Sequence, residues 1–508
     1  MFKPILIYYI PLIIFTLFLS IIPCIASENT ITVGLNITHK ASYITCCDLE
    51  GNGLKDIIAA DDYNITILKQ NRNYSFETYT IKSKDKITGL NSCRLSKSAK
   101  EDIMCLGIGK LFYFSWDKNG KLEGPTYINI SEYKDTLIEK QKDIKNFQFI
   151  TDLNNDKLDD IVIPSRNGLL CLWQIEPKIF KSSLVQIRDT NSHSNLNISP
   201  WPKVGDKSKT IDKGFSFFPT FSKIQNYWMQ DYNNDQLLDI ISLSKYSDTY
   251  TITVLLQNKN QTFKEPINII LKNSNYLQND VPDFRLLDLN HDKLLDIVET
   301  KIEYPLDGNN SIFPLLIIKI YFATNSFQFN KQPNKLFKTA FIPGLDNIVD
   351  LNRDGCYEII TAPSPLKFAS KESIIKIASD KKISFDLNYF IFDTIKNNYI
   401  ENVNFGKSFS IILPSLAAID DFKQFIKTDN ININDIYSII VLKKTSLLEI
   451  NLLKNNNERL YIDKALDIPL PCYFSAIKLI DINSNGIKEI LLLDNSDKKI
   501  YTIYLKNI

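Results

Sequence analysis

The stretch TDLNNDKLDDIVIPSRNG, residues 151–168, changes abruptly from acidic and amide side chains to apolar ones. Asp152, Asn154, Asp156 and Asp160 occupy positions 1, 3, 5 and 9 of a nine-residue segment, and an Ile-rich run follows. Asx-rich segments form turns, and runs of Ile and Val favour β-strands. The stretch therefore predicts an oxygen-rich loop that leads directly into a buried strand.

The same pattern recurs along the chain, so we interpret the sequence as a repeat protein. Each copy has an acid first, a carboxylate or amide third and fifth, an acid ninth, and then Ile. The six copies are DLEGNGLKDIIAA from Asp48, DLNNDKLDDIVIP from Asp152, DYNNDQLLDIISL from Asp231, DLNHDKLLDIVET from Asp288, DLNRDGCYEIITA from Asp350 and DINSNGIKEILLL from Asp481.

Two weaker copies fill the wide gaps between these six. One runs from Arg94 to Asp102-Ile103 and has lost its acidic ligands, and the other leads into Asp435-Ile436 through a longer loop. Together they give eight units, with a mean spacing of about 62 residues, which suits a propeller blade. If one weak copy is not a true blade, the number becomes seven.

Between the motifs lie alternating apolar runs, about four to each unit, as in a propeller blade. The sequence therefore predicts an all-β fold, a single β-propeller of eight four-stranded blades, or alternatively seven. We expect strands from both termini to close the ring. The expected closing blade combines EILLLD and KIYTIYLKN after Asp481 with ITVGLNIT and SYITCC before Asp48.

These motifs resemble the FG-GAP/VCBS repeats of integrin-alpha-type β-propellers and of many bacterial secreted proteins. The resemblance covers nearly all of residues 28–508. The chain departs from that family because the FG-GAP dipeptides are mostly absent and because seven blades are the family's usual number.

A hard cation such as Ca²⁺ requires several oxygen ligands, and positions 1, 3, 5 and 9 of a tightly turned loop can converge on one point. The resemblance implies the same positions. The predicted calcium ligands are Asp48, Glu50, Asn52, Asp56, Asp152, Asn154, Asp156, Asp160, Asp231, Asn233, Asp235, Asp239, Asp288, Asn290, Asp292, Asp296, Asp350, Asn352, Asp354, Glu358, Asp481, Asn483, Asn485 and Glu489.

Position 6 of the loop needs a sharp turn, which Gly provides at little cost. Gly53, Gly355 and Gly486 fit this need, whereas other loops carry Lys or Gln there. The loops from Asp48 and Asp350 combine Gly with charge, so we expect calcium first in these two. The alternative is that the loops fold without metal, their Asp and Asn side chains capping backbone amides.

The N-terminus carries a Lys, a long apolar run and then Ala26 and Ser27, the layout of a secretory signal peptide. We expect cleavage near these two residues, so that residues 1–27 are the signal peptide. An uncleaved membrane anchor is the alternative. The mature chain would have no membrane span and would be secreted, periplasmic or on the cell surface, where Cys46, Cys47, Cys93 and Cys105 could form a disulfide.

The bulk composition and the missing motifs exclude several functions. With 59 Lys+Arg against 58 Asp+Glu, the net charge of +1 gives no indication of a nucleic-acid partner. The sequence contains no nucleophile elbow, zinc-protease helix or phosphate-binding Gly loop. The three histidines, His39, His193 and His291, are scattered, and the repeated acids suit a structural role. The chain is therefore not expected to be an enzyme.

One segment, from about Glu176 to Lys223, departs from the repeat and is interpreted as a long loop. Trp201 and Trp228 near it are candidates for carbohydrate or protein contact, or for packing between blades. The expected function is a calcium-binding propeller that acts as a protein- or glycan-binding or adhesion module with an extracellular or periplasmic partner. The alternative is an extracellular lyase or glycosidase on the same scaffold.

Overall fold

The fold is all-β and is seen in a computed structural model. The structure describes residues 25–26, 30–117, 121–130, 149–165, 168–185, 227–246, 249–272, 283–303, 315–325, 327–342, 345–362, 382–412, 426–429, 431, 438–444, 446–456, 459–471, 474 and 476–505. Among these residues no helix has the length and apolar character needed to cross a membrane.

The described residues form thirty-five strands, β1 to β35. In chain order they are β1 Ile25–Ala26, β2 Thr30–Asn36, β3 Tyr43–Cys47, β4 Asp56–Ala60, β5 Asn64–Gln70, β6 Phe76–Lys82, β7 Ile87–Cys93, β8 Asp102–Gly107, β9 Lys110–Trp116, β10 Leu122–Ile128, β11 Ile150–Thr151, β12 Asp160–Ser165, β13 Gly168–Glu176, β14 Ile179–Val185, β15 Tyr227–Gln230, β16 Asp239–Tyr246, β17 Thr249–Leu255, β18 Ile267–Lys272, β19 Asp283–Leu287, β20 Asp296–Glu303, β21 Leu315–Tyr321, β22 Ala323–Asn325, β23 Gln328–Phe329, β24 Lys335–Ala340, β25 Ile348–Val349, β26 Glu358–Thr361, β27 Lys382–Asp393, β28 Asn398–Ile412, β29 Ile426–Asp429, β30 Ser438–Lys444, β31 Leu447–Asn456, β32 Arg459–Pro469, β33 Ala476–Ile480, β34 Glu489–Asp494 and β35 Lys499–Leu505.

These strands build eight antiparallel blades in a ring, as the repeat predicted. Blade 1 is β3–β6, blade 2 is β7–β10, blade 3 is β11–β14, blade 4 is β15–β18, blade 5 is β19–β21 with β24, blade 6 is β25–β28, blade 7 is β29–β32 and blade 8 is β33–β35 with β2. The short hairpin β22–β23 extends from blade 5. Both weak repeats therefore belong to true blades, so the alternative of seven blades is wrong. Asp435-Ile436 itself lies outside the described residues.

Strands from both termini close the ring, as predicted, but the expected set of strands was wrong. Blade 8 takes three strands from the C-terminal end and β2 from the N-terminal end, with Thr30 opposite Leu505, and the two-residue strand β1 pairs with the outer edge of β2. The run SYITCC belongs instead to blade 1, where Tyr43 pairs with Ala60. The reason is that each motif connects the first and second strands of one blade, so the run before a motif always pairs with the run after it.

Apolar clusters fill the spaces between neighbouring blades. Ile57, Val33 and Leu491 share one cluster between blades 8 and 1, for example, and Ile490 joins another that spans blades 6, 7 and 8. Similar clusters lie between all the intervening pairs of blades. Because each blade buries apolar side chains against both neighbours, burial of apolar surface holds the whole circle together.

The polar segment after Glu176 begins with strand β14. Its interpretation as a long loop beginning at about Glu176 was therefore wrong for this first part. β14 is the outer strand of blade 3, and its Val185 pairs with Leu169. Its side chains are mostly exposed, so its composition is polar although its backbone is fully part of the sheet. Residues 186–226, including Trp201 and His193, lie outside the described residues.

Candidate metal-binding loops

The six acidic motifs form equivalent loops between the first and second strands of blades 1, 3, 4, 5, 6 and 8. We name each loop after its blade: loop 1 is residues 48–56, loop 3 is 152–160, loop 4 is 231–239, loop 5 is 288–296, loop 6 is 350–358 and loop 8 is 481–489. The name loop 2 is used for residues 94–102, the weak copy in blade 2. In every loop the ninth residue begins the second strand of its blade.

All six acidic loops share one backbone conformation, with a positive φ at positions 4 and 6. At position 6 the values run from 70° at Lys293 to 90° at Gly355, so the turn expected from the glycines is present even where Lys or Gln replaces Gly. The positive φ at position 4 was not predicted. The residues at position 4 are Gly51, Asn155, Asn234, His291, Arg353 and Ser484. Left-handed conformations cost non-glycine residues about 1 kcal/mol or more each, so the loops hold this shape against its local cost.

In five of the six loops the side chains at positions 1, 3 and 5 cap backbone amides, whereas in loop 1 Glu50 at position 3 accepts a hydrogen bond from the side-chain amide of Asn52 instead. In loop 3, Asp152 accepts hydrogen bonds from the backbone N–H of Asp156 at 3.0 Å and of Lys157 at 2.8 Å. Asp156 in turn accepts the N–H of Leu158 at 2.8 Å. Loops 4 and 5 repeat this pattern, with Asp231 and Asp288 in the place of Asp152. The capping role named as the alternative to metal binding is therefore present.

The ninth residue is a buried acid that joins the loop to the body of its blade. The carboxylate of Asp160 accepts the N–H of Leu153 at 3.0 Å and the N–H of Gln174, on the third strand, at 2.8 Å. Asp56, Asp239 and Asp296 make the corresponding pairs of bonds. Burial raises the pKa of each ninth-position acid: to about 7 for Asp56, Asp160, Asp296 and Glu489, about 6 for Asp239 and about 8 for Glu358.

Most consecutive loops are also hydrogen-bonded to one another through their backbones. The N–H of Lys55 donates to Ile482 O of blade 8 at 2.7 Å, and that of Leu238 donates to Leu153 O of blade 3 at 2.9 Å. Equivalent bonds from the eighth loop position are made by Glu101, Asp159, Tyr357 and Lys488. These bonds join loops 8, 1, 2, 3 and 4 in one run and loops 5 and 6 in another, and the side-chain amide of Asn234 in loop 4 connects the two runs by donating to Lys293 O in loop 5. The loops thus form a hydrogen-bonded belt along one face of the ring.

Three buried glutamines strengthen this belt, and sequence reasoning missed them. Gln70, Gln174 and Gln257 follow the ninth-position acids of loops 1, 3 and 4 at the end of the third strand. The amide of Gln174 donates to Leu95 O of blade 2 at 2.9 Å. With their amide nitrogens assigned from the surrounding carbonyls, Gln70 and Gln257 donate to Ile482 O and Leu153 O. The signal was present in the runs NITILKQ and GLLCLWQ, where the Gln stands fourteen residues after the acid.

Comparison with known proteins identifies the repeat. A family model described as FG-GAP-like repeat matches residues 231–299, which span loops 4 and 5 and the strands between them. The chain is an FG-GAP repeat β-propeller. No curated protein matches the sequence significantly.

Among solved structures, this FG-GAP propeller is similar to an Agrocybe aegerita lectin described by its recognition of non-reducing terminal N-acetylglucosamine. That match has 9% identity and a TM-score of 0.43, and covers 92% of this chain and 99% of the lectin. The Nup133 β-propeller domain of Vanderwaltozyma polyspora matches with 11% identity and a TM-score of 0.36, covering 95% and 98% of the two chains.

The FG-GAP loops differ in how well their oxygens suit a cation. Within the described residues, no three Asp, Glu, His or Cys side chains converge closely enough to hold a metal by themselves. In loop 6, however, Asp350 Oδ1 and Glu358 Oε1 are buried with no hydrogen-bond partner among the described residues. Two buried carboxyl oxygens without partners are costly, and a cation that coordinates them would offset this cost. Loop 6 therefore fits Ca²⁺ best.

Loop 3 differs because an arginine from the neighbouring blade lies against it. Arg94 stands at the first position of loop 2, where the other loops have Asp. Its guanidinium lies 2.8 Å from Asp159 and 3.7 Å from Asp152 of loop 3. A positive charge at that distance offsets the negative charge that would attract Ca²⁺.

The other candidate residues from the sequence, a tryptophan, a histidine and four cysteines, lie in packed or buried positions or remain free thiols. Trp228 packs against the cluster between blades 4 and 5, in agreement with the packing alternative. His39 is buried beside Thr38 and Thr66, and burial lowers its pKa. Cys46, Cys47, Cys93 and Cys105 are free thiols in the structure, so no disulfide joins them. Of the predicted signal peptide, residues 1–24 and 27 lie outside the described residues.

Proposed function

We propose that this FG-GAP propeller is an exported, calcium-stabilised binding module without catalytic activity, whose surface takes a protein or glycan partner. The observation that carries the calcium part is the pair of buried, unpartnered oxygens on Asp350 and Glu358. Asp350, Asn352, Asp354 and Glu358 would hold the ion. Bound Ca²⁺ would neutralise the acids and tie the start of the loop to the strand that follows it.

The repetition of the loops supports a structural use of the metal. Six loops keep oxygen side chains at the same four positions, and the belt of hydrogen bonds connects them. A catalytic centre needs one constellation of groups, whereas a ring held at many equivalent points gains rigidity. Rigid scaffolds that present loops are well suited to binding, because little conformational entropy is lost when the partner docks.

Export is proposed from the N-terminal sequence, and it places the protein where millimolar calcium can fill weak loop sites. The buried thiols are consistent with such a compartment only if they are protected from oxidation. Burial provides this for Cys47, because it raises the pKa of that thiol well above its usual value and so keeps the unreactive thiol form.

Thermal unfolding of the chain from about Ser27 tests the calcium part of the proposal. The metal-stripped protein should show a clear rise in Tm in millimolar Ca²⁺, because a ligand that binds only the folded state stabilises it. The variant Asp350→Asn/Asp354→Asn should lose most of that rise, while Asp152→Asn/Asp156→Asn should keep most of it. A single cooperative transition with the same Tm in Ca²⁺ and in chelator would contradict the proposal.

A further inference from the structure

A polar cavity lies between blades 5 and 6, apart from the proposed ligands of loop 6. Its volume is about 300 Å³, and its polar lining comes from Thr324, Asn334, Lys335, Lys396, Asn397 and Asn398. These residues flank the connections between the third and fourth strands of the two blades. The cavity is at the small end of the range for ligand pockets, with space for one or two sugar residues.

The charge of this cavity favours an anion. Two lysines line it and, within the described part of the chain, no Asp or Glu does. Lys396 has an ion-pair partner in Asp393 at 3.4 Å, but the lysine side chain is 67% exposed. Exposed pairs of this kind contribute little, so Lys396 can turn towards a ligand at low cost.

The amide groups add hydrogen-bonding capacity of both kinds. Asn334 uses its side-chain oxygen to accept the N–H of Phe322 at 2.9 Å, which leaves the NH₂ group as its donor towards a ligand. Asn398 Oδ1 is buried and has no hydrogen-bond partner among the described residues. A buried amide oxygen without a hydrogen-bond donor is unfavourable, and a hydroxyl group of a bound molecule can donate to it.

The walls of the cavity are held firmly. The ring of Phe322 packs against the rings of Phe392, at 5.6 Å between centroids, and Tyr399, at 6.5 Å. Asn290 of loop 5 also approaches Asn397, with 3.5 Å between the amide nitrogen and oxygen. The site is therefore built on packed strands and on the loop belt, and its shape exists before a ligand arrives.

We propose that this cavity binds an acidic sugar, in which a carboxylate meets the two lysines and ring hydroxyls meet the asparagine amides. This inference rests on the proposed function and specifies its glycan class. Lys335 and Lys396 would supply the charge recognition, and Asn334 and Asn398 would select for hydroxyl groups. Neutral glycans lack the carboxylate that meets the lysines, and simple inorganic anions lack the ring hydroxyls that meet the asparagine amides.

Calorimetric titration of the full chain with a uronic-acid trisaccharide tests the inference. The comparison ligands are the same trisaccharide with its carboxyls reduced to alcohols, and inorganic sulfate. Wild type should bind the acidic trisaccharide at least tenfold more tightly than either. Lys335→Gln/Lys396→Gln should weaken that binding at least tenfold, whereas Lys338→Gln, on the same strand β24 but outside the cavity lining, should leave it unchanged.

Equal binding by the double variant, equal binding of the reduced trisaccharide, or sulfate binding as tight as that of the sugar would each overturn the inference. Absence of any sugar binding by wild type would also overturn it. The calcium-dependent rise in Tm is measured separately and does not depend on Lys335 or Lys396. Failure of this site and failure of the proposed calcium stabilisation are therefore distinguishable.

Discussion

Loops 3 and 6 have nearly the same acidic pattern but very different surroundings. In loop 3, both oxygens of the ninth-position acid are hydrogen-bonded, and Arg94 from blade 2 lies 3.7 Å from Asp152. In loop 6, Asp350 and Glu358 each keep one buried oxygen without a partner in the described residues. The motif therefore sets the loop conformation, whereas the surroundings of each loop determine how strongly a bound cation would stabilise it.

The largest expected effect is a difference in unfolding free energy between variants of Asp160 in loop 3 and Glu358 in loop 6, measured without metal. Asp160→Ala leaves the N–H groups of Leu153 and Gln174 buried without acceptors, and should cost about 4 kcal/mol of unfolding free energy. Glu358→Ala leaves only the N–H of Leu351 without an acceptor, so the loss of unfolding free energy should be about half as large. Urea unfolding in chelator measures both. Equal losses of unfolding free energy in the two variants would contradict the proposed difference between loops 3 and 6.

The next largest effect on stability is expected from substitutions at position 6 of the loops. Gly355 has φ of 90°, and a Cβ added there would lie 2.4 Å from Nδ1 of His291 in loop 5. Gly355→Ala should destabilise the protein by about 3 kcal/mol, from the left-handed backbone and the displaced imidazole. Lys157→Gly in loop 3, where φ is 73°, should instead stabilise it by about 1 kcal/mol. Thermal unfolding of both variants checks the opposite signs.

Asp283 on β19 serves as a reference for burying an acid outside the loops. Burial raises its pKa to about 7, despite Arg285 at 4.0 Å. Because the folded pKa is above the unfolded value, the folded state binds more protons between about pH 4 and pH 7, and stability falls as the pH rises through that window. Asp283→Asn should remove about 2 kcal/mol of this decline, measured by denaturant unfolding at pH 5 and pH 8. An unchanged decline would show that burial of Asp283 is not its source.

The smallest effect concerns Arg94 itself. Arg94→Gln removes a positive charge beside Asp152 and should strengthen calcium binding at loop 3 by about 1 kcal/mol, roughly fivefold. Native mass spectrometry across a calcium titration should detect the additional bound ion at lower concentration. Lys97→Gln removes the same charge from an exposed position in loop 2 and should leave the titration unchanged. If both variants behave alike, Arg94 is not what distinguishes loop 3.

The sequence contained the repeat, and from it the blades, their number and the turn at position 6 could be predicted. Features that depend on contact between blades could not. Which strands close blade 8 is decided by pairing between β2 and β35, and the approach of Arg94 to Asp152 depends on how blades 2 and 3 pack. The role of Gln174 was also hidden, because its amide bonds to a carbonyl seventy-nine residues earlier in the chain.

The most direct test is a crystal structure of the protein grown in millimolar Ca²⁺, with anomalous difference maps used to locate the ions. We predict a calcium peak in loop 6, coordinated by Asp350, Asn352, Asp354 and Glu358, and a weaker peak or none in loop 3. An empty loop 6 with Asp350 Oδ1 and Glu358 Oε1 satisfied by water or by protein donors would contradict this prediction.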